Sequence, residues 1–350
     1  MKTILVTGGC GFIGSNFVRL LCGETDYRVV NLDALTYAGN LENVADVTSE
    51  NYRFVKGNIG DRDLIGRLLE EENPWAVVNF AAESHVDRSI VDASPFVQTN
   101  VAGVQTLLEA TRKHPVERFV QISTDEVYGD KEGQEPSSEE SPVSPSSPYA
   151  ATKAAADLLC FSYRRTYGSP VLVTRSSNNY GPYQFPEKFI PLLIRNALNE
   201  LDLPIYGDGK QVRDWLFVED NCRGILGVIE KGRLGSIYNI GTGEERTNRN
   251  VAEAICVALA ERKGIPLSEL KGRIQSVNDR PGHDRRYAID TTRVRAEIGW
   301  RPRMDFTTGL KQTVDWYLAH ADWVRGVTSG EYRNYYNSVY THAWSKGPDV

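Results

Sequence analysis

Cysteine is scarce in this chain. There are five in 350 residues, at Cys10, Cys22, Cys160, Cys222 and Cys256. An odd number, scattered, with no Cys-x-x-Cys pair, excludes a disulfide framework and gives no zinc-binding pattern. No metal site is expected, and a reducing cytoplasm is the expected setting. Long hydrophobic runs are missing too. No stretch approaches the ~18 apolar residues of a membrane helix, and Ile4-Leu5-Val6 runs into glycines too soon for a secretory signal segment. Basic charge is not in excess: 40 Lys and Arg stand against 46 Asp and Glu, a net charge of −6. No broad positive surface is offered, so neither nucleic acid nor a membrane is an expected partner. An anionic small molecule remains possible, since a few placed arginines and helix N-termini outweigh net charge locally. At 41% apolar and 25% charged residues the chain is able to bury a real core, and at about 150 residues per domain its length fits two domains.

Short β-branched runs recur with helical stretches between them, at 3–7, 27–33, 52–57, 76–82, 118–124 and 171–175. Near-continuous hydrophobicity, as in Val77-Val78-Asn79-Phe80, marks strands buried on both faces of a parallel sheet. A further run at 236–240 follows a helical 221–230. The pattern predicts an α/β fold, a doubly wound (Rossmann) parallel sheet of about seven strands with a smaller C-terminal substrate-binding domain. We place the first domain at 1–177, with a strand and helix returning at 216–242, the second at 178–215 and 243–330, and a tail at 331–350. Residues 129–148, rich in Ser, Pro, Glu and Gly, read as an ordered surface loop or flap.

The first run ends in Thr7-Gly8-Gly9-Cys10-Gly11-Phe12-Ile13-Gly14, a strand-to-helix glycine pattern that brings backbone N–H groups against a pyrophosphate. Alone, it also fits a tight turn that holds nothing. Asp33 ends the second run about 20 residues further on, where a carboxylate bonds a ribose 2′-hydroxyl and repels a 2′-phosphate. The expected cofactor is therefore NAD rather than NADP. Tyr149 and Lys153 stand four apart at the start of a helical stretch, on one face. An ammonium beside a phenol favours phenolate, so the pair is expected to lower the Tyr149 pKa and take a hydroxyl proton. Two polar groups on an exposed face are the plain alternative. Asp125 and Glu126 follow Thr124 at a strand's carboxyl end, where ligands bind in doubly wound sheets. Adjacent carboxylates there serve as an acid and a base if their surroundings push them apart, or, more plainly, one of them caps a helix.

Together these residues resemble the extended short-chain dehydrogenase/reductase superfamily and, within it, the dTDP-glucose 4,6-dehydratases. The likeness runs from residue 1 to roughly 320 and rests on Thr36-Tyr37-Ala38-Gly39-Asn40, Ala81-Ala82-Glu83-Ser84-His85-Val86-Asp87-Arg88-Ser89, Thr124-Asp125-Glu126, Asn178-Asn179-Tyr180-Gly181-Pro182-Tyr183 and Asp279-Arg280-Pro281-Gly282-His283-Asp284. The resemblance implies that Tyr149, aided by Lys153 and Thr124, deprotonates a sugar C4 hydroxyl as hydride passes to NAD. Glu126 then removes the C5 proton and Asp125 protonates the departing C6 hydroxyl. It implies a cofactor site at Gly8, Gly11, Phe12, Ile13, Gly14, Asp33, Asn58, Ile59, Ala81, Ala82, Thr99, Tyr149, Lys153 and Asn178. The nucleotide sugar, dTDP-glucose, is implied at Ser84, Thr124, Asn179, Lys188, Phe189, Pro204, Ile205, Tyr206, Arg213, Asn248, Arg280 and His283, with Arg213 as a diphosphate clamp. His85 is expected to order its loop. A homodimer is implied through 95–114 and 149–167, with Val101, Val104, Leu108, Leu158 and Phe161 assigned to core or seam. The chain departs from the family's pattern at Asn58, usually Asp, at Cys10, usually Ala, and in the short 129–148 segment.

Overall fold

The computed structural model describes residues 1–328. Its strands are β1 (Thr3–Thr7), β2 (Arg28–Asp33), β3 (Tyr52–Lys56), β4 (Ala76–Asn79), β5 (Arg118–Thr124), β6 (Val171–Ser176), β7 (Asn178–Tyr180), β8 (Leu203–Tyr206), β9 (Val212–Phe217), β10 (Ile237–Ile240), β11 (Glu245–Thr247) and β12 (Ile274–Val277). Seven of them form one parallel sheet in the order β10-β6-β5-β4-β1-β2-β3. Alternate residues feed two buried faces. Ile4, Val6, Val78, Val120 and Ile122 meet the helices Phe12–Glu24 and Val218–Lys231, while Leu5, Val30, Val77 and Phe119 meet Arg62–Glu72, Val104–Lys113 and Pro148–Tyr167. Each such side chain contributes roughly 1.5–3 kcal/mol on burial, which is why these strands read as unbroken apolar runs.

The run at 76–82 stops as a strand at Asn79, because β1 turns at Gly8 directly against Ala81. Just below that point a polar ladder crosses the sheet. The Thr7 hydroxyl donates to Asn79 Oδ1 at 2.5 Å, and Asn79 Nδ2 donates to Gln121 Oε1 at 2.8 Å. These residues are register partners on β1, β4 and β5, so the ladder fixes the carboxyl ends of three strands.

After β6 the chain leaves the sheet through β7, β8 and β9, returns by the helix Val218–Lys231 to β10, and then leaves again to β11 and β12, which complete the small sheets β11-β9-β7 and β12-β8. A separate core of Ile190, Leu193, Val251, Ile255, Leu310 and Val314 lies under the helices Phe189–Leu198, Asn248–Lys263 and Phe306–Ala319. We propose the division given above on these packing units; residues 331–350 lie outside the described residues. The 129–148 segment is a pinned strap rather than a free flap. Ser144 N donates to Val127 O at 2.9 Å, Ser137 N to Ala288 O at 2.9 Å, and the Asp130 carboxylate accepts from Arg285 N and Arg286 N.

Candidate active site

Gly8 has φ of +71°, a conformation natural to glycine, and a Cβ there would lie 2.6 Å from Ala81 N. A Cβ on Gly14 would strike the Gly8 carbonyl oxygen. The helix Phe12–Glu24 therefore starts tight against the strand end. Its N-cap, Gly11, makes no side-chain bond and its first turn holds no acid, which leaves the positive helix end open to an anion. The cavity above it, about 240 Å³, is lined by Gly8, Gly11, Phe12, Ile13, Gly14, Asp33, Asn58, Ile59, Ala81, Ala82, Ser84, Thr99, Tyr149 and Lys153, with no arginine in its wall. Asp33 is held facing it by Cys10 N at 2.9 Å and Leu35 N at 2.8 Å. The donor set fits a dinucleotide without a 2′-phosphate. Cys10 is fully buried, and burial, then Asp33, pushes its thiol up to about 12; it packs rather than reacts. The Asn58 amide oxygen accepts from Gly60 N at 2.7 Å. Asn58→Asp, which strengthens acceptance to a charge-assisted bond, is expected to tighten NAD binding roughly fivefold by calorimetry; an unchanged Kd would remove Asn58 from the cofactor site.

Pro148 at the first helical position and Ser147, whose hydroxyl accepts from Ala150 N at 3.1 Å, start the helix that carries Tyr149 and Lys153. Here the structure corrects an expectation. The Tyr149 phenol is pushed up, not down, by desolvation and then by the Glu126 charge, with only the Thr124 hydrogen bond acting against them. Lys153 Nζ is instead committed to Ile122 O at 2.5 Å, and burial lowers its pKa to about 8.

β5 ends in a single turn, Asp125–Tyr128, whose N-cap is Thr124: its hydroxyl accepts from Glu126 N at 3.3 Å. The two acids are therefore not caps. Asp125 Oδ2 and Glu126 Oε2 are buried and have no hydrogen-bond partner, a state costing about 1–3 kcal/mol for each such group. Burial, then the Glu126 charge, raises the Asp125 pKa well above the carboxylate range. Burial also raises Glu126, but Arg280, Arg213 and Lys188 oppose it. Both acids are raised, Asp125 further than Glu126 because more cations act on Glu126, so Asp125 is the first of the pair to hold a proton. The stability that protonated Asp125 contributes is complete below the ordinary carboxylate range and is lost as pH rises through its raised pKa. Asp125→Asn, neutral throughout, is expected to melt a few degrees above the unsubstituted protein at pH 8 and close to it at pH 4 by calorimetry; a uniform loss at both would contradict this.

A second cavity, about 170 Å³, is walled by Ser84, Glu126, Asn178, Asn179, Lys188, Phe189, Pro204, Tyr206, Arg213, Asn248, Arg280 and His283. Two expectations are corrected. Ile205 is fully buried in the core of the smaller sheets, because β8 alternates and only Pro204 and Tyr206 face the cavity. Asn178, assigned to the cofactor, lines this second cavity instead. Thr124 and Asp125 line neither cavity; they are buried beside Glu126 and Tyr149. Lys188 Nζ donates to Ser84 O at 2.7 Å, and Arg213 donates to Val212 O at 2.7 Å and Asp284 O at 2.9 Å while stacking on Tyr287 at 4.0 Å. No carboxylate among the described residues lies within ion-pair distance of either, so half-buried Lys188 and buried Arg213 stand ready for a phosphate.

Reading the sequence missed Gln184 and Glu187, which line both cavities, and Asp87, Trp215 and Tyr287 in the second. Glu187 adjoins Lys188 and Tyr287 follows the 279–284 string, which was the available signal. His85 caps the helix Val86–Val91 and faces Glu187 at 3.9 Å, with burial holding it neutral, so it orders its loop.

The family model for GDP-mannose 4,6 dehydratase matches residues 5–313. The dTDP-glucose 4,6-dehydratase of Xanthomonas campestris pv. campestris (strain B100) is 53% identical over 346 residues, covering 95% of this chain and 98% of the relative. The chain belongs to the dTDP-glucose 4,6-dehydratase family. Among solved dTDP-glucose 4,6-dehydratases, that of Streptomyces venezuelae with NAD and dTDP bound superposes with a TM-score of 0.86 at 47% identity, over 93% of this chain and 100% of that one. That of Bacillus anthracis in complex with NAD gives 0.85 at 47% identity, over the same shares. In this dTDP-glucose 4,6-dehydratase family member, Ser84, Gln184, Glu187 and Lys188 line both cavities, Glu126 is in the wall of the second and Tyr149 in that of the first.

Proposed function

We propose that this chain converts dTDP-glucose to dTDP-4-keto-6-deoxyglucose and water, an NAD-dependent hydro-lyase. The observation that carries the reading is the pair of buried, unpartnered carboxylate oxygens on Asp125 and Glu126, of which Asp125 is the more strongly raised and holds its proton to the higher pH. A 4-epimerase or a simple C4 oxidoreductase has no use for both.

NAD, held by the glycine turn and Asp33, supplies a hydride acceptor at C4 and a hydride donor at C6. Tyr149, as the phenolate, takes the C4 hydroxyl proton on Oη, with Thr124 bonded to it and Lys153 one helical turn away. The resulting 4-ketone acidifies C5. Glu126 removes the C5 proton as Asp125 protonates the C6 hydroxyl, which leaves as water, and Glu126 returns a proton to C5 when C6 is reduced. Atoms and electrons balance, and both carboxyls end as they began except for the proton that Asp125 regains from solvent or Tyr149. Lys188 and Arg213 neutralise the diphosphate from the second cavity. Incubation with dTDP-glucose and NAD, followed by proton NMR, is expected to show a C6 methyl doublet; dTDP-galactose without a methyl signal would overturn the reading in favour of epimerisation.

Thymidine over uridine is part of this proposal and rests on the relatives' names; the two bases differ by one methyl, about 1–3 kcal/mol in an apolar pocket. We also propose a cytoplasmic homodimer. All five cysteines are free, and no helix among the described residues is long and apolar enough to cross a membrane. Leu158 is 61% exposed on the helix Pro148–Tyr167, and Val91 and Val97, on segments packed against that helix, are exposed too, which supports a seam there. Val101 and Phe161 are half-buried, whereas Val104 and Leu108 belong to the core.

A further inference from the structure

A carboxylate in the wall of a cavity that receives a diphosphate repels its own ligand, so each one there calls for a reason. Glu126 has its place in the reaction, and Glu187 is paired with Arg88 at 3.2 Å. Asp87 is the third. It lies in the first turn of the helix Val86–Val91, which packs on the helix that carries Tyr149, and its side chain is 14% exposed in the cavity wall. Tyr206 Oη donates to its Oδ2 at 3.0 Å, and Arg280 Nη1 donates to its Oδ1 at 3.4 Å. Both donors come from one end of the small sheet β12-β8. Its strands are parallel with Tyr206 opposite Val277, Gly207 N donates to Val277 O at 2.9 Å, and Arg280 follows in the next turn of chain. That turn is fixed from its other side by the Asp279 carboxylate, which accepts from Gln211 Nε2 and from Arg280 N, each at 2.9 Å, and meets His283 Nδ1 at 2.6 Å. Among the described residues Asp87 is the one ion-pair partner of the Arg280 guanidinium, whose Nε is buried without a hydrogen-bond partner.

We propose that Asp87 is a positioning residue for the nucleotide sugar: it ties Tyr206 and Arg280 to the 81–89 segment, so that the second cavity holds its binding shape before the ligand arrives. The proposal rests on the reading of that cavity as the diphosphate site. Each carboxylate oxygen takes one side chain, and each of those side chains is itself in the cavity wall. One residue thus bridges the segment that carries Ser84, on whose carbonyl Lys188 is also held, to the strands that carry Pro204 and Tyr206. Were Tyr206 and Arg280 free, the ligand would have to order both on binding, which costs affinity. The Asp87 charge has two opposed effects, since it repels the diphosphate through space and holds a cation beside it. Paired with Arg280 at 3.4 Å, it leaves little net charge to repel, and the holding effect prevails.

The test is the sign of the change in dTDP affinity. Asp87→Asn and Asp87→Ala remove the same charge, but the amide keeps one carbonyl oxygen that accepts a hydrogen bond. A mere charge in the wall predicts equally tighter dTDP binding in both. By calorimetry, Asp87→Ala is instead expected to weaken dTDP binding roughly tenfold and Asp87→Asn about threefold. Asp87 is not in the wall of the first cavity, so the NAD affinity and Tm of Asp87→Asn are expected to stay as they are. The KM for dTDP-glucose is expected to rise with the dTDP Kd, with kcat changing less than KM. In an Arg280→Gln background, Asp87→Ala is expected to cost less affinity than in the unsubstituted protein, because one of its two bonds is already gone. Tighter or unchanged dTDP binding in both Asp87 variants would overturn the proposal, as would equal losses in the two backgrounds. A lower Tm with NAD and dTDP weakened alike would also overturn it, since that is what a purely structural contact gives. Failure of the unsubstituted protein to bind dTDP would instead overturn the reading of the cavity beneath it.

Discussion

Glu126→Gln is expected to lose roughly 10²–10⁴-fold in turnover while C4 oxidation survives, so that reduced cofactor accumulates on mixing with dTDP-glucose. The base is removed, the cofactor cavity is untouched and loss of the Glu126 charge lowers the Tyr149 pKa rather than raising it, so the reaction stalls at the 4-ketone with the C5 proton in place. Asp125→Asn is expected to slow turnover by a similar factor, since the leaving hydroxyl then departs without a proton. Rates near those of the unsubstituted protein in either variant would remove that residue from the elimination step. Stopped-flow absorbance of the reduced cofactor, together with NMR of the product, separates the steps.

Tyr149→Phe carries the second large effect and is its mirror image. It is expected to lose roughly 10²–10⁴-fold in turnover with no burst of reduced cofactor, because oxidation itself is blocked. The phenol's raised pKa sharpens this expectation. Burial and Glu126 raise the Tyr149 pKa, so the phenolate that takes the C4 proton is the minority form and turnover is expected to rise with pH, whereas a phenyl ring has no oxygen to take the proton at any pH. Turnover with an intact burst in Tyr149→Phe would assign the base elsewhere, Thr124 being a hydroxyl bonded to the phenol.

The large sheet was legible because both of its faces are buried, so strands such as Ala76–Asn79 and Arg118–Thr124 read as apolar runs. The chemistry was legible where its members are neighbours in the chain: Asp125 beside Glu126, Tyr149 one helical turn from Lys153, the glycines of a single turn. What escaped depends on registers and faces that no local spacing encodes. Ile205 was placed with Pro204 and Tyr206 as a contiguous segment, and the period of two in β8 separates it from them. The Tyr149 pKa was judged from Lys153 alone, whereas Glu126, distant in sequence, and desolvation decide it. The convergence of Tyr206 and Arg280 on Asp87 required the β8–β12 pairing. The net charge of −6 foretold nothing about the second cavity, where Lys188 and Arg213 are bonded to backbone carbonyls rather than to a carboxylate.

The central claim is that water is eliminated across C5 and C6 after oxidation at C4, with the hydride returned to a different carbon from the one that gave it. dTDP-glucose carrying deuterium at C4, turned over by the unsubstituted enzyme with NAD, tests it directly. The account predicts deuterium in the C6 methyl group of the product by NMR or mass spectrometry; deuterium returned to C4 would contradict it.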